Sequence, residues 1–559
     1  MKKHFLIITI ACLIGFAAGA QTVEAGKKFV YYERWESAAG AFREVIKQQP
    51  QNMEAQYWLM KTLLEQQKAD EARQLVTSLQ QQSTGLLKDH PIMNVAAGEL
   101  LLRDGKITEA ATHFDEALKD TRQKDPEILM AIARAYLDAK RTEYDYVLDL
   151  LDKAAKRDKN NPEIYNLQGD VHRRMGDGGK AVQAYTAALL KNPAYAKAEY
   201  NIGKIYLTQQ NSEMFLKHFM GAVQKDPSYA PALYELYYYY YFRDVNLAKE
   251  YLDKYIANRD ASVENEYMMT DLLFVSSKHK EALDMAKQLL QKEQQNAQPR
   301  LYKLIAYSYD ALRDSTNALD FIGKYFEKAP DSQLVAKDFA LRADLLQKFA
   351  GREQEAVADL QKAVEIDTLA SNKAEYMADL AAIYKKSGDK SKEAYWLGQL
   401  YQAKQDPTNL DLYYWGLAHY SAQEYPQADS VFGLYTDKYP EHIHGFYWRA
   451  KSNALIDTTM EQGLAVPYYQ KVIDLASADS IRNKSLLIQA YGYVGAYEAN
   501  VKKDFETALA SFNKILQLDP ANDDAIRYSD ILKKWLAAGP KKNDTGKAGT
   551  EKTETGNKE

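Results

Sequence analysis

The 559-residue chain contains a single cysteine, Cys12. No disulfide can form within it, and no cysteine-based metal cluster can be built. H-E-x-x-H, G-x-S-x-G, C-x-x-C and dinucleotide fingerprints are all missing, so no catalytic constellation is assigned; the chain is read as a non-enzyme that needs no cofactor. Proline is scarce, at 15, and glycine moderate, at 27, which suits helices. A net charge of −5 supplies no basic field for nucleic acid. Beyond residue 20 no run is long and apolar enough to cross a membrane. Mean hydropathy of −0.52 with 46% apolar residues fits a soluble folded chain. What the chain does have is tyrosine: 42, against 17 Phe and 6 Trp.

Met1 to Ala20 reads as a secretory signal. Lys2 and Lys3 form the charged start, Phe5 to Phe16 the apolar run, and Ala18-Gly19-Ala20 the cleavage site, with the mature start at Gln21. The alternative is acylation at Cys12, because Thr9-Ile10-Ala11-Cys12 faintly resembles a lipoprotein box. At the other end, residues 539–559 are polar and low in complexity, and they read as a disordered tail.

Between these ends the sequence repeats itself. Gly169 matches Gly203, His172 matches Tyr206, Tyr185 matches Phe219, Ala188 matches Ala222 and Pro193 matches Pro227, each pair 34 residues apart. Small residues suit close helix packing, aromatics fill the space between helices, and proline ends the second helix. The Asp177 to Gly179 stretch is read as the turn between them. The same frame recurs from Gly26–Phe42–Pro50 through Gly98–Phe114 and Gly416–Phe432–Pro440 to Phe512–Pro520, and a helix from about Asp523 to Ala538 would cap the end.

This pattern resembles the tetratricopeptide repeat. The resemblance implies an all-α solenoid, a right-handed superhelix of antiparallel helix pairs, with roughly fourteen repeats. We read residues 21–262 as an N-terminal array and 263–538 as a C-terminal array continuous with it. The resemblance also implies a concave groove lined by the first helix of each repeat. Its expected contact residues are Tyr200, Lys204, Tyr234, Tyr238 and Tyr241, then Arg300, Lys303 and Tyr307, then Tyr413, Tyr420, Tyr447 and Lys451. Of the consecutive tyrosines, Tyr237 and Tyr240 are expected in the core. The carboxylate clamp of chaperone-binding members is not carried over: Asn201 fits, but Asn166, Asp170, Pro231 and Glu235 occupy the other positions.

Two weaker motifs assign nothing. Gly176 to Lys180 lacks the first glycine and the final Ser or Thr of a phosphate loop. His442-x-His444 has no third metal ligand nearby in sequence. The function expected is a periplasmic scaffold that holds a protein or peptide partner, itself an envelope component, in its groove. The alternative is a glycan-binding accessory protein using the same aromatic groove. Oligomeric state is not legible.

Overall fold

A computed structural model describes residues 22–82 and 89–538. The expected signal, Cys12 and the polar tail lie outside them. The described residues hold 29 α-helices and no strand. They form fourteen consecutive antiparallel pairs, from Val23–Tyr31 with Trp35–Gln48 to Lys484–Tyr497 with Phe505–Leu518, followed by the single helix Asp523–Ala538. This is a tetratricopeptide-type α-solenoid. It divides into two compact units, residues 1–312 and 313–559.

Within a pair, the turn is set by one residue in the left-handed region. Glu33, Gln67, Gly105, Gly176 and Gln210 all have φ between 55° and 80°. In the fifth pair the Gly176 N–H donates to the Arg173 carbonyl at 3.1 Å and the Asp177 N–H to the His172 carbonyl at 2.9 Å. These two bonds satisfy the last carbonyls of the first helix. Asp177 then accepts from the Lys180 N–H at 2.9 Å and caps the second. The turn therefore sits one residue earlier than the sequence reading placed it. Gly178 and Gly179 already belong to the helix Gly178–Lys191, and only Gly176 uses glycine's freedom.

The glycine and the aromatic sixteen residues later are one device. A β-carbon on Gly26, Gly98, Gly169, Gly203 or Gly416 would stand 2.3–2.6 Å from the ring of Phe42, Phe114, Tyr185, Phe219 or Phe432, respectively. Each ring is at most 1% exposed. The missing side chain lets the second helix lay its ring directly on the first. Gly203→Ala should therefore cost about 1–3 kcal/mol through overpacking. Better helix propensity returns up to about 1 kcal/mol. A lower urea midpoint is expected, and an unchanged one would mean that Phe219 moves freely.

The seventh pair inverts the device. Tyr237 stands 34 residues after Gly203, on the first helix, and Leu252 meets it from the second. They are 5% and 0% exposed. Bulk has changed sides while the space stays filled. Tyr240, expected in the core, is only half-buried, because it stacks on the Tyr251 ring at 5.8 Å with one face outward.

The first unit closes on itself. The Tyr31 ring packs on Tyr195 and Tyr229 at 5.9 and 5.3 Å. The Tyr32 hydroxyl donates to Asp226 at 2.9 Å. Helix Trp35–Gln48 has no side-chain cap of its own at Arg34. Asp260 supplies one, accepting from the N–H groups of Glu36 and Ser37 at 2.7 and 3.2 Å. A carboxylate at a helix N-terminus meets free N–H groups and the positive end of the dipole. The first pair is thereby fastened to the sixth and seventh.

Candidate functional site

A chain of ion pairs links the first helices of successive pairs in the first unit. Lys61 bonds both Glu99 oxygens, at 2.8 and 2.9 Å, and Asp138 at 2.5 Å. Glu99 is 0% exposed. Burial alone would lower the Lys61 pKa, but Asp138 and Glu99 outweigh it and raise it. Further along, Glu163 accepts from Arg134 at 3.3 Å, from Lys197 at 3.2 Å and from the Tyr195 hydroxyl. Lys204 then meets Glu235 at 2.6 Å, and the Tyr200 hydroxyl donates to the same carboxylate at 3.4 Å.

Burial by itself would raise the Glu163 pKa. Lys197, Arg134 and the Tyr195 hydroxyl reverse that and hold it at about 2, below its ordinary 4.5. A depressed carboxylate stabilises the fold above its unfolded pKa and loses that contribution as pH falls through the folded one. Stability of the first unit should therefore drop by about 2–3 kcal/mol between pH 4.5 and 2 from this group alone. Glu163→Gln should flatten that limb in urea titrations over the same range; an unchanged slope would show that the ion pairs contribute nothing.

The expected contact residues fall into separate sets. Tyr200, Lys204, Tyr234 and Tyr238 come together around Glu235. The Tyr200 ring packs on Phe219 and Tyr229 at 5.6 and 5.7 Å, so most of it is packing. Tyr234 and Tyr238 are 39% and 64% exposed and stack with rings 6.4 Å apart. Tyr241 instead turns onto Tyr237 at 5.7 Å and is half-buried. The exposed aromatic that continues the row is Phe242, at 79%. Its spacing from Tyr234 and Tyr238, four and eight residues, was present in the sequence as a helical row.

Arg300 lies over the Tyr267 ring at 4.6 Å and pairs with Glu264 and Asp271 at 2.7 and 3.2 Å. Burial, against the opposing pull of Arg300, pushes the Asp271 carboxyl up to about 6. Lys303 sits over Tyr307 at 5.8 Å. In the second unit, Tyr420 and Tyr447 flank Trp448 at 5.0 and 5.5 Å, and Lys451 lies over Tyr447 at 6.0 Å. The Tyr447 hydroxyl donates to Gln489 at 2.8 Å, and Tyr413 meets the His444 ring at 6.4 Å. His442 is engaged elsewhere, stacked on Tyr439 at 5.2 Å. Two positions of the absent clamp are paired with each other: Asn201 donates to Asn166 at 3.0 Å in the core.

These pairs, glycine–aromatic contacts and turns define a repeat scaffold that presents its first helices as a surface. The tetratricopeptide-repeat family profiles match residues 31–85, 95–144 and 166–230. The chain is a tetratricopeptide-repeat protein. No curated protein matches the sequence. Among solved structures, it is similar to the C-terminal part of a TPR repeat-containing protein from Cytophaga hutchinsonii, with 27% identity, a TM-score of 0.31, and coverage of 47% of this chain and 98% of that one. It is also similar to a tetratricopeptide repeat protein from Parabacteroides merdae, at 21% identity, TM-score 0.31, and coverage of 45% and 96%. Proteins of this class are generally protein-interaction scaffolds.

Proposed function

We propose that the protein is a non-catalytic periplasmic scaffold that holds an extended segment of a protein partner on the first unit and supports an envelope assembly, secretion or transport complex. The observation that carries the reading is the row Tyr234, Tyr238 and Phe242. Three neighbouring aromatics stay exposed on a helix whose opposite face is fully packed. Tyrosine gives a large, rigid contact with a polar tip, as recognition surfaces favour. The export half rests on the sequence of residues 1–20.

A photo-cross-linker placed at Tyr238 in intact cells should trap one dominant protein partner. Replacing Tyr234, Tyr238 and Phe242 together by Ala should remove that product while helicity stays near that of the parent. Recovery of the partner by the triple variant, or trapping of glycan alone, would overturn the reading. Mature protein should begin at Gln21; an acylated Cys12 would instead place it on the membrane.

A further inference from the structure

The closure of the first unit leaves a cavity of about 300 Å³ between the first turn and the sixth and seventh pairs. Its walls include Tyr32, Trp35, Tyr234 and Tyr255, with Glu33 and Arg259 at the mouth. Glu235 also lines it, but Lys204 already neutralises that carboxylate at 2.6 Å.

Glu33 and Arg259 are different. Among the described residues Glu33 has neither an ion pair nor a side-chain hydrogen bond, and it is open to solvent. Arg259 makes no ion pair there either; its guanidinium lies over the Tyr255 ring at 4.7 Å. The cavity thus offers an unsatisfied carboxylate beside aromatic faces, and a guanidinium free to donate. Aromatic faces and carboxylates favour cations, and the ring quadrupole adds to the carboxylate's attraction. Guanidinium N–H groups suit carbonyl acceptors. Crowding by the walls raises the Glu33 pKa, against the pull of Lys197 and Arg259, which is the cost that a bound cation would relieve.

We infer that this cavity is a specificity pocket for a basic side chain, lysine or arginine, on a peptide segment whose backbone carbonyl is held by Arg259. The inference rests on the proposed binding of a protein segment by the first unit and names what that segment must carry. It adds a contact that the exposed row does not provide, because Glu33 and Arg259 come from turns 226 residues apart and meet only through the closure.

Blocked tripeptides acetyl-Gly-Lys-Gly-amide, its norleucine counterpart and its glutamate counterpart, titrated into the full chain by ligand-observed NMR, provide the test. The lysine peptide should bind about tenfold or more tightly than either counterpart, the expected gain for a desolvated cation–aromatic and carboxylate contact. Glu33→Gln should erase that preference. The variant should fold, because Gln67 and Gln210 hold the same left-handed turn position in the second and sixth pairs. Equal binding of the three peptides, preference for glutamate, or an unchanged lysine preference in Glu33→Gln would overturn the inference. Loss of lysine binding with partner cross-linking at Tyr238 intact would leave the scaffold reading standing; loss of cross-linking with lysine preference intact would do the reverse.

Discussion

Lys61→Met should destabilise the first unit by about 3–5 kcal/mol, the cost of leaving a buried charge without its partner. Glu99 is completely buried, and Lys61 contacts both of its oxygens. Arg103 reaches it as well, at 3.1 Å, but from a partly exposed position that cannot replace a buried ammonium. Asp138 is 31% exposed and can turn to water, so most of the loss lies at Glu99. The control is Lys61→Met with Glu99→Leu. Replacing a buried pair by apolar side chains is often neutral or better, so the double variant should recover much of the loss. Urea unfolding of the four proteins of this cycle gives the coupling directly. Additive losses would show that Lys61 and Glu99 act independently and that the short distances carry no energy.

Tyr237→Ala is the second large effect, about 3–5 kcal/mol, as for other buried aromatics cut to alanine. Tyr237 packs with Leu233, Ala248, Leu252 and Leu272 in one buried cluster. It fills from the first helix the space that Phe219 fills from the second in the preceding pair. No neighbour can collapse into the hole, because the aromatic position opposite holds only Leu252. The adjacent Tyr238→Ala should move stability by less than about 0.5 kcal/mol, since its ring is largely in water. Thermal unfolding of both variants makes the comparison. Equal effects would mean that the tyrosine row packs as one block, and the division into core and contact residues would fail.

The helical pairs were legible from residue spacing alone. Glycine, aromatic and proline recur at fixed intervals because each pair solves the same packing problem locally. The contact of Gly203 with Phe219 spans sixteen residues and needs no knowledge of distant chain. Even the exception at Tyr237 was visible, as bulk standing where the frame has glycine. The position of the turn at Gly176 was missed, because three small or polar residues in a row can each be read as the turn. Backbone hydrogen bonding selects the one that can hold a left-handed conformation.

Tyr241 and Phe242 mark the next limit. Both lie within reach of the row begun by Tyr234, and only packing against Tyr237 decides which of them turns inward. The charges show the limit more strongly. Lys61, Glu99 and Asp138 lie in three different pairs, and as sequence they are ordinary charges on helices. Their burial follows from how tightly consecutive first helices approach. The closure of the first unit is further still from the sequence: Asp260 caps a helix that begins 225 residues earlier. Local spacing dictates each pair, because helix periodicity and volume act over one or two turns. The summed rotation from pair to pair decides which ends meet, and with it the cavity that Glu33 and Arg259 share.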